Sequence, residues 1–210
     1  MERIIGRTFL RFLEATGAYG RNQWAFRSGH SCRDLITLRV LRWLNAIHTG
    51  RKSAIFLSDI SGAFDRVGTE LLLKKYERAG VGAIVLQFLS SFFAPRTAKV
   101  IVQGSLSKPV SISNQVYQGT VLGPPSWNVF FADVVSSVIE VGFSEDLFAD
   151  DLTCEKYFPV AAHEDIIFDE LRKRQSSVHA WGSSNRVRFD PLKEEFKVIH
   201  NTRGVGDSFK

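Results

Sequence analysis

Two cysteines, Cys32 and Cys154, are all that this chain of 210 residues contains. They are too few for a disulfide framework, so reduced, unpaired thiols and an intracellular setting are expected. No apolar run approaches the roughly 18 residues of a membrane span. The five histidines, at positions 30, 48, 163, 179 and 200, are scattered, and no pair of them shows zinc spacing with a cysteine. A phosphate-cradling GxxxxGK followed by Ser or Thr is missing. "DISGAFD" lacks the D-x-D arrangement of an aspartyl-phosphate enzyme. The chain also lacks repeats and low-complexity tracts, which excludes solenoids and disordered arrays.

Hydrophobic residues make up 44% of the chain and aromatics 12%. That suits an ordinary globular core, and the length fits one domain with or without a smaller lobe. The net charge is +5 and the pI about 9.4. A basic balance is compatible with nucleic acid or another polyanion as partner. The opening "MERIIGRTFLRFLE" reads as an amphipathic helix with Ile4, Ile5, Phe9, Phe12 and Leu13 inward, and not as a signal peptide.

"GAYGRNQWAFRSGHS" (17–31) reads as a loop. From Cys32 to His48, Leu35, Leu38, Leu41 and Leu44/Ile47 recur at helical spacing, with Ser31 as N-cap and Gly50 as stop. "SAIFLSDI" (53–60) is a buried strand. "TELLLKKYERAG" (69–80) and "VLQFLSSFF" (85–93) are helices. "TAKVIVQ" and "PVSISNQV" alternate as strands around a turn at "GSLSK". One long helix follows Pro124-Pro125 and runs to about Gly142. "EDLFA" and "LTCEKYF" form a second hairpin, "EDIIFDELRKRQSSVHAW" a further helix, and "VRF" and "FKVIH" short strands. Helices mixed with antiparallel hairpins place the chain in the α+β class.

That second hairpin carries Asp150 and Asp151 at its tip. Adjacent carboxylates beside buried surface are costly unless positive charge meets them. Asp59, at the end of another strand, supplies a third carboxylate. Three carboxylates from two strand ends make a Mg²⁺ site geometrically plausible, since Mg²⁺ takes oxygen ligands. Two such ions about 3.5–4 Å apart can clamp the attacking and leaving oxygens of a phosphoryl transfer. On these residues alone the plainer reading prevails, that of a solvated turn, because Asp favours turns.

Neighbouring motifs change that balance. "FLSDISGAFDRV" (56–67), "QGTVLGPPSWNVFF" (118–131) and "LFADDLT" (147–153) resemble three ordered motifs of reverse transcriptases, and among them those of non-LTR (LINE-type) retrotransposons. "FRSGHSCRDLITL" (26–38) is similar to the family's fingers motif. "HAWGSSNRVRFDPLKEEFKVIH" (179–200) is similar to its lysine-bearing palm motif, and "DSFK" (207–210) to the start of the next. The joint order of these motifs is specific where each alone is only moderately so.

The resemblance implies a right-hand polymerase palm (53–210) with partial fingers (1–52), further fingers and a thumb being expected outside this segment. It implies that Asp59, Asp150 and Asp151 bind two Mg²⁺ ions, with Mn²⁺ as substitute. Asp65 is structural or supports the metal residues from behind. Phe64 matches the steric gate against a ribose 2′-OH; packing in the core is the commoner fate of a Phe. Gln118 and Gly119 match the motif lying along incoming nucleotide and template. Gly119 is also readable as an ordinary turn glycine. Lys193 matches the lysine that protonates departing pyrophosphate; taken alone it is a surface lysine near Pro191. Arg27 and Arg33 contact template phosphates or are solvated surface charges, two readings of equal weight. Where Gly62 stands, relatives often carry a basic or polar residue.

Two functions fit. One is an RNA-directed DNA polymerase that uses an RNA template, a DNA primer and deoxynucleoside triphosphates; the resemblance further implies a nuclear location, because integration occurs on chromosomal DNA. The other is a retroelement remnant that only binds nucleic acid.

Overall fold

The computed structural model describes residues 2–139 and 141–201, the side chains of residues 2–4 excepted. The expected motif at 207–210 and the inward side chain of Ile4 therefore lie outside the description. In chain order the elements are α1 (Glu2–Ala15), α2 (Cys32–His48), β1 (Arg51–Ser58), a 3₁₀ turn (Ala63–Arg66), α3 (Thr69–Arg78) and α4 (Ala83–Phe92). Next come β2 (Arg96–Ala98), β3 (Ile101–Val102), β4 (Ser105–Leu106), β5 (Val110–Ile112), α5 (Gly123–Phe131) and α6 (Val134–Ile139). The last are β6 (Ser144–Phe148), β7 (Asp151–Pro159), α7 (Glu164–Asn185) and β8 (Glu195–Ile199).

These elements form two compact units, each discontinuous in sequence: Met1–Ala18 with Gly62–Phe130, and Tyr19–Ser61 with Phe131–Lys210. The second is built on a four-stranded antiparallel sheet in the order β6-β7-β1-β8. Alternate residues of a strand face opposite ways. Asp146 meets Arg39 and Arg42 of α2, whereas Phe56 meets Phe196 and Phe196 meets Phe168 of α7. Helices thus cover both faces, which is why Ser53–Phe56 are buried without alternation. Helix α7 buries Ile167, Leu171, Arg174, Val178, Trp181 and Asn185, a stripe at helical spacing. It stops where Arg186 takes a left-handed φ of 60°.

The first unit is mostly helical. Tyr76 of α3 shares a 2.7 Å hydrogen bond with Ser126 of α5 and packs on Phe9 of α1 with ring centroids 5.5 Å apart. Lys75 donates to the Phe130 carbonyl at 2.6 Å and lies over the Phe130 ring. Gly123 is required by close approach: a Cβ there would stand 2.6 Å from the Tyr117 carbonyl oxygen.

Several expectations need correction. In α1, Phe9 and Leu13 are buried but Phe12 is 37% exposed. In α2, Leu35 is buried while Leu41 and Leu44 are exposed, so only part of the apolar periodicity serves a core. The helix expected up to Gly142 breaks at Ala132-Asp133, where the Asp133 carbonyl accepts from the Ser136 amide and hydroxyl and so starts α6. The first hairpin is two nested ladders, β2-β5 around β3-β4. It turns at Gln103-Gly104, not at "GSLSK", because both residues take the positive φ (49° and 82°) that a type I′ turn demands. "VRF" contributes one isolated bridge, Ile60 to Phe189, in place of a strand.

Candidate active site

Asp59, Asp150, Asp151 and Lys193 all fall in the second unit. Strand β1 ends at Ser58, paired with Leu152 of β7, so Asp59 emerges beside the start of β7. Phe148 pairs with Asp151, which leaves Ala149 and Asp150 as a two-residue turn. Asp150 therefore sits in the turn and Asp151 is the first residue of β7.

The segment after α7 closes on the same place. Ser61 donates to the Arg188 carbonyl at 3.0 Å and Asp190 to the Asp59 carbonyl at 2.9 Å. The chain then turns, Leu192 donating to Asp190 Oδ1 at 3.1 Å, and Lys193 Nζ reaches Asp59 Oδ2 at 2.5 Å. The positive charge that meets Asp59 in this arrangement is thus a lysine.

Burial pushes the Asp150 carboxyl above its ordinary range, and Asp59 and Asp151 add to the rise by like-charge repulsion, as does a carboxyl–carboxyl hydrogen bond shared with Asp59. Burial also raises Asp151, with Asp59 next, against the opposing pull of Lys193 and Arg39. Lys193 is raised by its hydrogen bond and charge pairing with Asp59. The carboxylates thus act on one another. A set of oxygen donors strained by like charge suits a hard divalent cation. Among the described residues, however, no group of three or more His, Cys, Asp or Glu is already disposed to hold a metal ion. The chemistry fits such an ion; the ligands have yet to converge on it. Asp59, Asp151, Lys193 and Arg39 line a cleft of about 440 Å³, together with Cys32 and Leu35 at the start of α2.

Sequence reasoning missed a network behind these groups. Glu194, its side chain 4% exposed, accepts from Ser58 Oγ at 3.0 Å and Gln175 Nε2 at 2.6 Å and pairs with His179 Nε2 at 2.6 Å. Ser58 precedes Asp59 and Glu194 follows Lys193, so one buried carboxylate ties both to α7. The adjacency of Glu194 to the motif lysine was the only available signal. Gln23 was missed as well: its amide bonds the Ala149 N–H and C=O at 3.1 and 3.2 Å.

The other expected residues are placed as follows. Phe64 is half-buried in the 3₁₀ turn of the first unit and stacks on Trp127, centroids 5.8 Å apart and planes 19° from parallel. Its carbonyl accepts from Val116 at 2.8 Å. Asp65 is exposed, its amide donating to the Gly62 carbonyl at 3.0 Å. Gln118 and Gly119 are exposed. Gly119 has a φ of 79° that glycine accepts freely, and no neighbour crowds the place of a Cβ. Arg27 directs Nη1 to the carbonyls of Gly20 and Gln23 at 3.1 and 3.0 Å, whereas Arg33 is exposed in the first turn of α2.

Two strand ends and the segment after α7 thus bring Asp59, Asp150, Asp151 and Lys193 to one place on an α+β fold. The family model described as "Reverse transcriptase (RNA-dependent DNA polymerase)" matches residues 2–198, and the chain belongs to that family. It is 30% identical over 145 residues to the RNA-directed DNA polymerase from mobile element jockey of Drosophila funebris, an alignment covering 69% of this chain and 16% of the relative. With the jockey polymerase of Drosophila melanogaster it shares 34% identity over 134 residues, 64% of this chain and 14% of that one. A probable RNA-directed DNA polymerase from transposon X-element of the same fly is 27% identical over 78% of this chain and 18% of its own length. The chain thus spans less than a fifth of these curated relatives.

Among solved structures, apo telomerase from Candida tropicalis, truncated from its C-terminal domain, superposes with a TM-score of 0.66 at 11% identity, over 96% of this chain and 41% of that one. That likeness establishes the α+β polymerase fold. No helix among the described residues is long and apolar enough to cross a membrane.

Proposed function

We propose that this segment carries the polymerising centre of a non-LTR retrotransposon's RNA-directed DNA polymerase, extending a DNA primer on an RNA template with deoxynucleoside triphosphates. The observation that supports it most is the proximity of Asp59, Asp150 and Asp151 at two neighbouring strand ends, where Asp59 acts on both of the others.

Asp59, Asp150 and Asp151 would hold two Mg²⁺ ions, which would supply Lewis acidity to the reacting phosphoryl oxygens. The residues themselves do the rest. The turn at Ala149-Asp150 and the first residue of β7 put Asp150 and Asp151 beside Asp59 at the end of the sheet. Lys193 carries a proton at Nζ at neutral pH and would give it to departing pyrophosphate. Phe64, stacked on Trp127, is stiff enough to serve as a gate against a 2′-OH. Gln118 and Gly119 present an exposed turn suited to the nucleotide and template. Arg33 is the better placed of the two arginines for a template phosphate, because Arg27 Nη1 is engaged within its own loop.

Single-turnover addition of one deoxynucleotide to a primed RNA template, with Mg²⁺, tests this reading. Template-directed addition that is lost in Asp150→Asn is expected. Salt-sensitive binding of primer–template with no addition, in this chain and in one extended to its relatives' length, would instead favour a remnant that only binds nucleic acid.

A further inference from the structure

The turn that carries Asp150 has a conformational problem that its own sequence does not solve. Ala149 takes a φ of 57°, a left-handed conformation that a Cβ disfavours. Its peptide groups also point away from the β6-β7 ladder, since Phe148 and Asp151 form the last pair, and they need partners.

Gln23 supplies them from 126 residues away. Its Oε1 accepts from the Ala149 N–H at 3.1 Å and the Ala25 N–H at 3.0 Å, and its Nε2 donates to the Ala149 carbonyl at 3.2 Å. The side chain is 1% exposed, so water does not compete. The loop around it is fixed to the same strand. Leu147 donates to the Asn22 carbonyl and Trp24 to the Leu147 carbonyl, both at 2.8 Å, and Asn22 Nδ2 donates to Glu145 Oε1 at 2.8 Å. Residues 22–24 thus run along β6 as a short added strand, bridged in parallel at Gln23 and Leu147. The Gln23 side chain extends that pairing one step beyond the strand, onto the turn.

We propose that Gln23 is a positioning residue for the aspartate turn. It holds the left-handed Ala149 peptide by both its polar groups and so sets the direction in which Asp150 and Asp151 project. The primary amide is the side chain suited to this, because it must accept from one peptide group and donate to the next with a single planar end. Leucine offers similar bulk and neither bond; glutamate keeps the acceptor and loses the donor.

The catalytic consequence rests on the polymerase reading above, so the test has an arm that does not. Amide hydrogen exchange is followed at residues 148–151 and in α7 for the parent, Gln23→Leu, Gln23→Glu and each with Ala149→Gly. In Gln23→Leu, exchange at the turn is expected to rise about tenfold or more, as loss of a buried hydrogen-bonded clamp implies, with α7 unchanged. Ala149→Gly should recover part of that protection, because glycine holds positive φ unaided. In the single-turnover assay, Gln23→Leu should lower the maximal rate of nucleotide addition at least about tenfold with little change in the primer–template concentration that gives half of it, the pattern of a misplaced catalytic group. Gln23→Glu should retain intermediate protection.

Unchanged exchange at the turn in Gln23→Leu would overturn the proposal. So would a uniform rise through α7, or no rescue by Ala149→Gly, either of which would make Gln23 a generic packing residue. A parent without polymerase activity would sink the polymerase reading and leave the exchange arm to decide on Gln23. Should Gln23→Leu not fold, Gln23→Glu with and without Ala149→Gly carries the same comparison.

Discussion

Lys193 Nζ lies 2.5 Å from Asp59 Oδ2, across 134 residues of sequence. The pair joins the two groups to which nucleotidyl transfer would assign opposite tasks, holding a cation and giving up a proton. While the lysine sits there it competes with any divalent ion for Asp59.

Lys193→Gln should therefore tighten Mg²⁺ or Mn²⁺ binding in the absence of nucleotide, by about two- to fivefold, the range that an exposed ion pair commands. It should also slow nucleotide addition. Calorimetric titration of the metal reads the first effect. Because Asp59 raises the Lys193 pKa, the competition is complete at neutral pH and is lost only as pH rises through that raised value. Metal binding by the parent should thus gain on that of the variant in strong alkali. Weaker metal binding by Lys193→Gln at neutral pH would refute the competition.

Asp150 and Asp151 act on stability with a definite sign. Burial raises both carboxyl pKa values in the folded chain, and Asp59 raises them further. A raised folded pKa stabilises the fold at low pH, and that contribution is lost as pH rises through it. At neutral pH and without metal, Asp150→Asn should thus be more stable than the parent by about 1 kcal/mol, or roughly 2–4 °C in Tm. The gap should close as pH falls into the carboxylate range. The parent, and not the variant, should gain stability from millimolar Mg²⁺. Paired melting curves across pH, with and without Mg²⁺, decide it; a variant less stable at pH 7 would count against mutual repulsion.

Much of this was legible because it is local. The Asp150-Asp151 hairpin could be read from two apolar runs around a two-residue turn, and β1 from a continuous apolar stretch. Lys193 and Asp59 could be paired only through the ordered motifs. What stayed hidden depends on distance in sequence. Nothing in "GRNQWAF" marks Gln23 as the partner of a turn 126 residues on. Nothing in "DPLKEEF" tells which glutamate turns inward to Ser58. Leu41 and Leu44 misled in the opposite direction, since helical spacing of apolar residues implies a covered face and theirs is exposed. The break between α5 and α6 escaped notice because no proline or glycine stands at Ala132-Asp133.

Glu194 offers a sharper test of the buried network. Leucine at this position would leave the Ser58 hydroxyl and the Gln175 amide facing an apolar group. The cost should be about 2 kcal/mol, as for loss of buried hydrogen bonds to a charged acceptor. Glu194→Gln keeps an acceptor and should cost about half as much. Denaturant unfolding measures both. Nucleotide addition should fall more in Glu194→Leu than stability alone explains, because Ser58 and Lys193 lose their common anchor. Equal stability of the two variants would mean that the carboxylate is not the node it resembles.

Phe64 combines a packing role with the proposed gate, and one substitution separates them. Its ring is half-buried and stacked on Trp127 at 5.8 Å, an arrangement that fixes the side chain's direction. Phe64→Val removes the stack and part of the buried ring, at a cost of about 1–2 kcal/mol, less than the 3–5 kcal/mol typical of truncating a fully buried Phe to Ala. If the ring does no more than pack, rates with deoxy- and ribonucleotides should fall together. If it occupies the space of a ribose 2′-OH, discrimination itself should collapse, ribonucleotide use rising at least about tenfold relative to deoxynucleotide use as a steric clash is relieved. Phe64→Tyr, which keeps the ring, should retain both stability and discrimination. Competitive single-nucleotide addition on one primed RNA template gives the ratio directly, independent of the fraction of active protein. An unchanged ratio in Phe64→Val would leave Phe64 as a partner of Trp127 and nothing more.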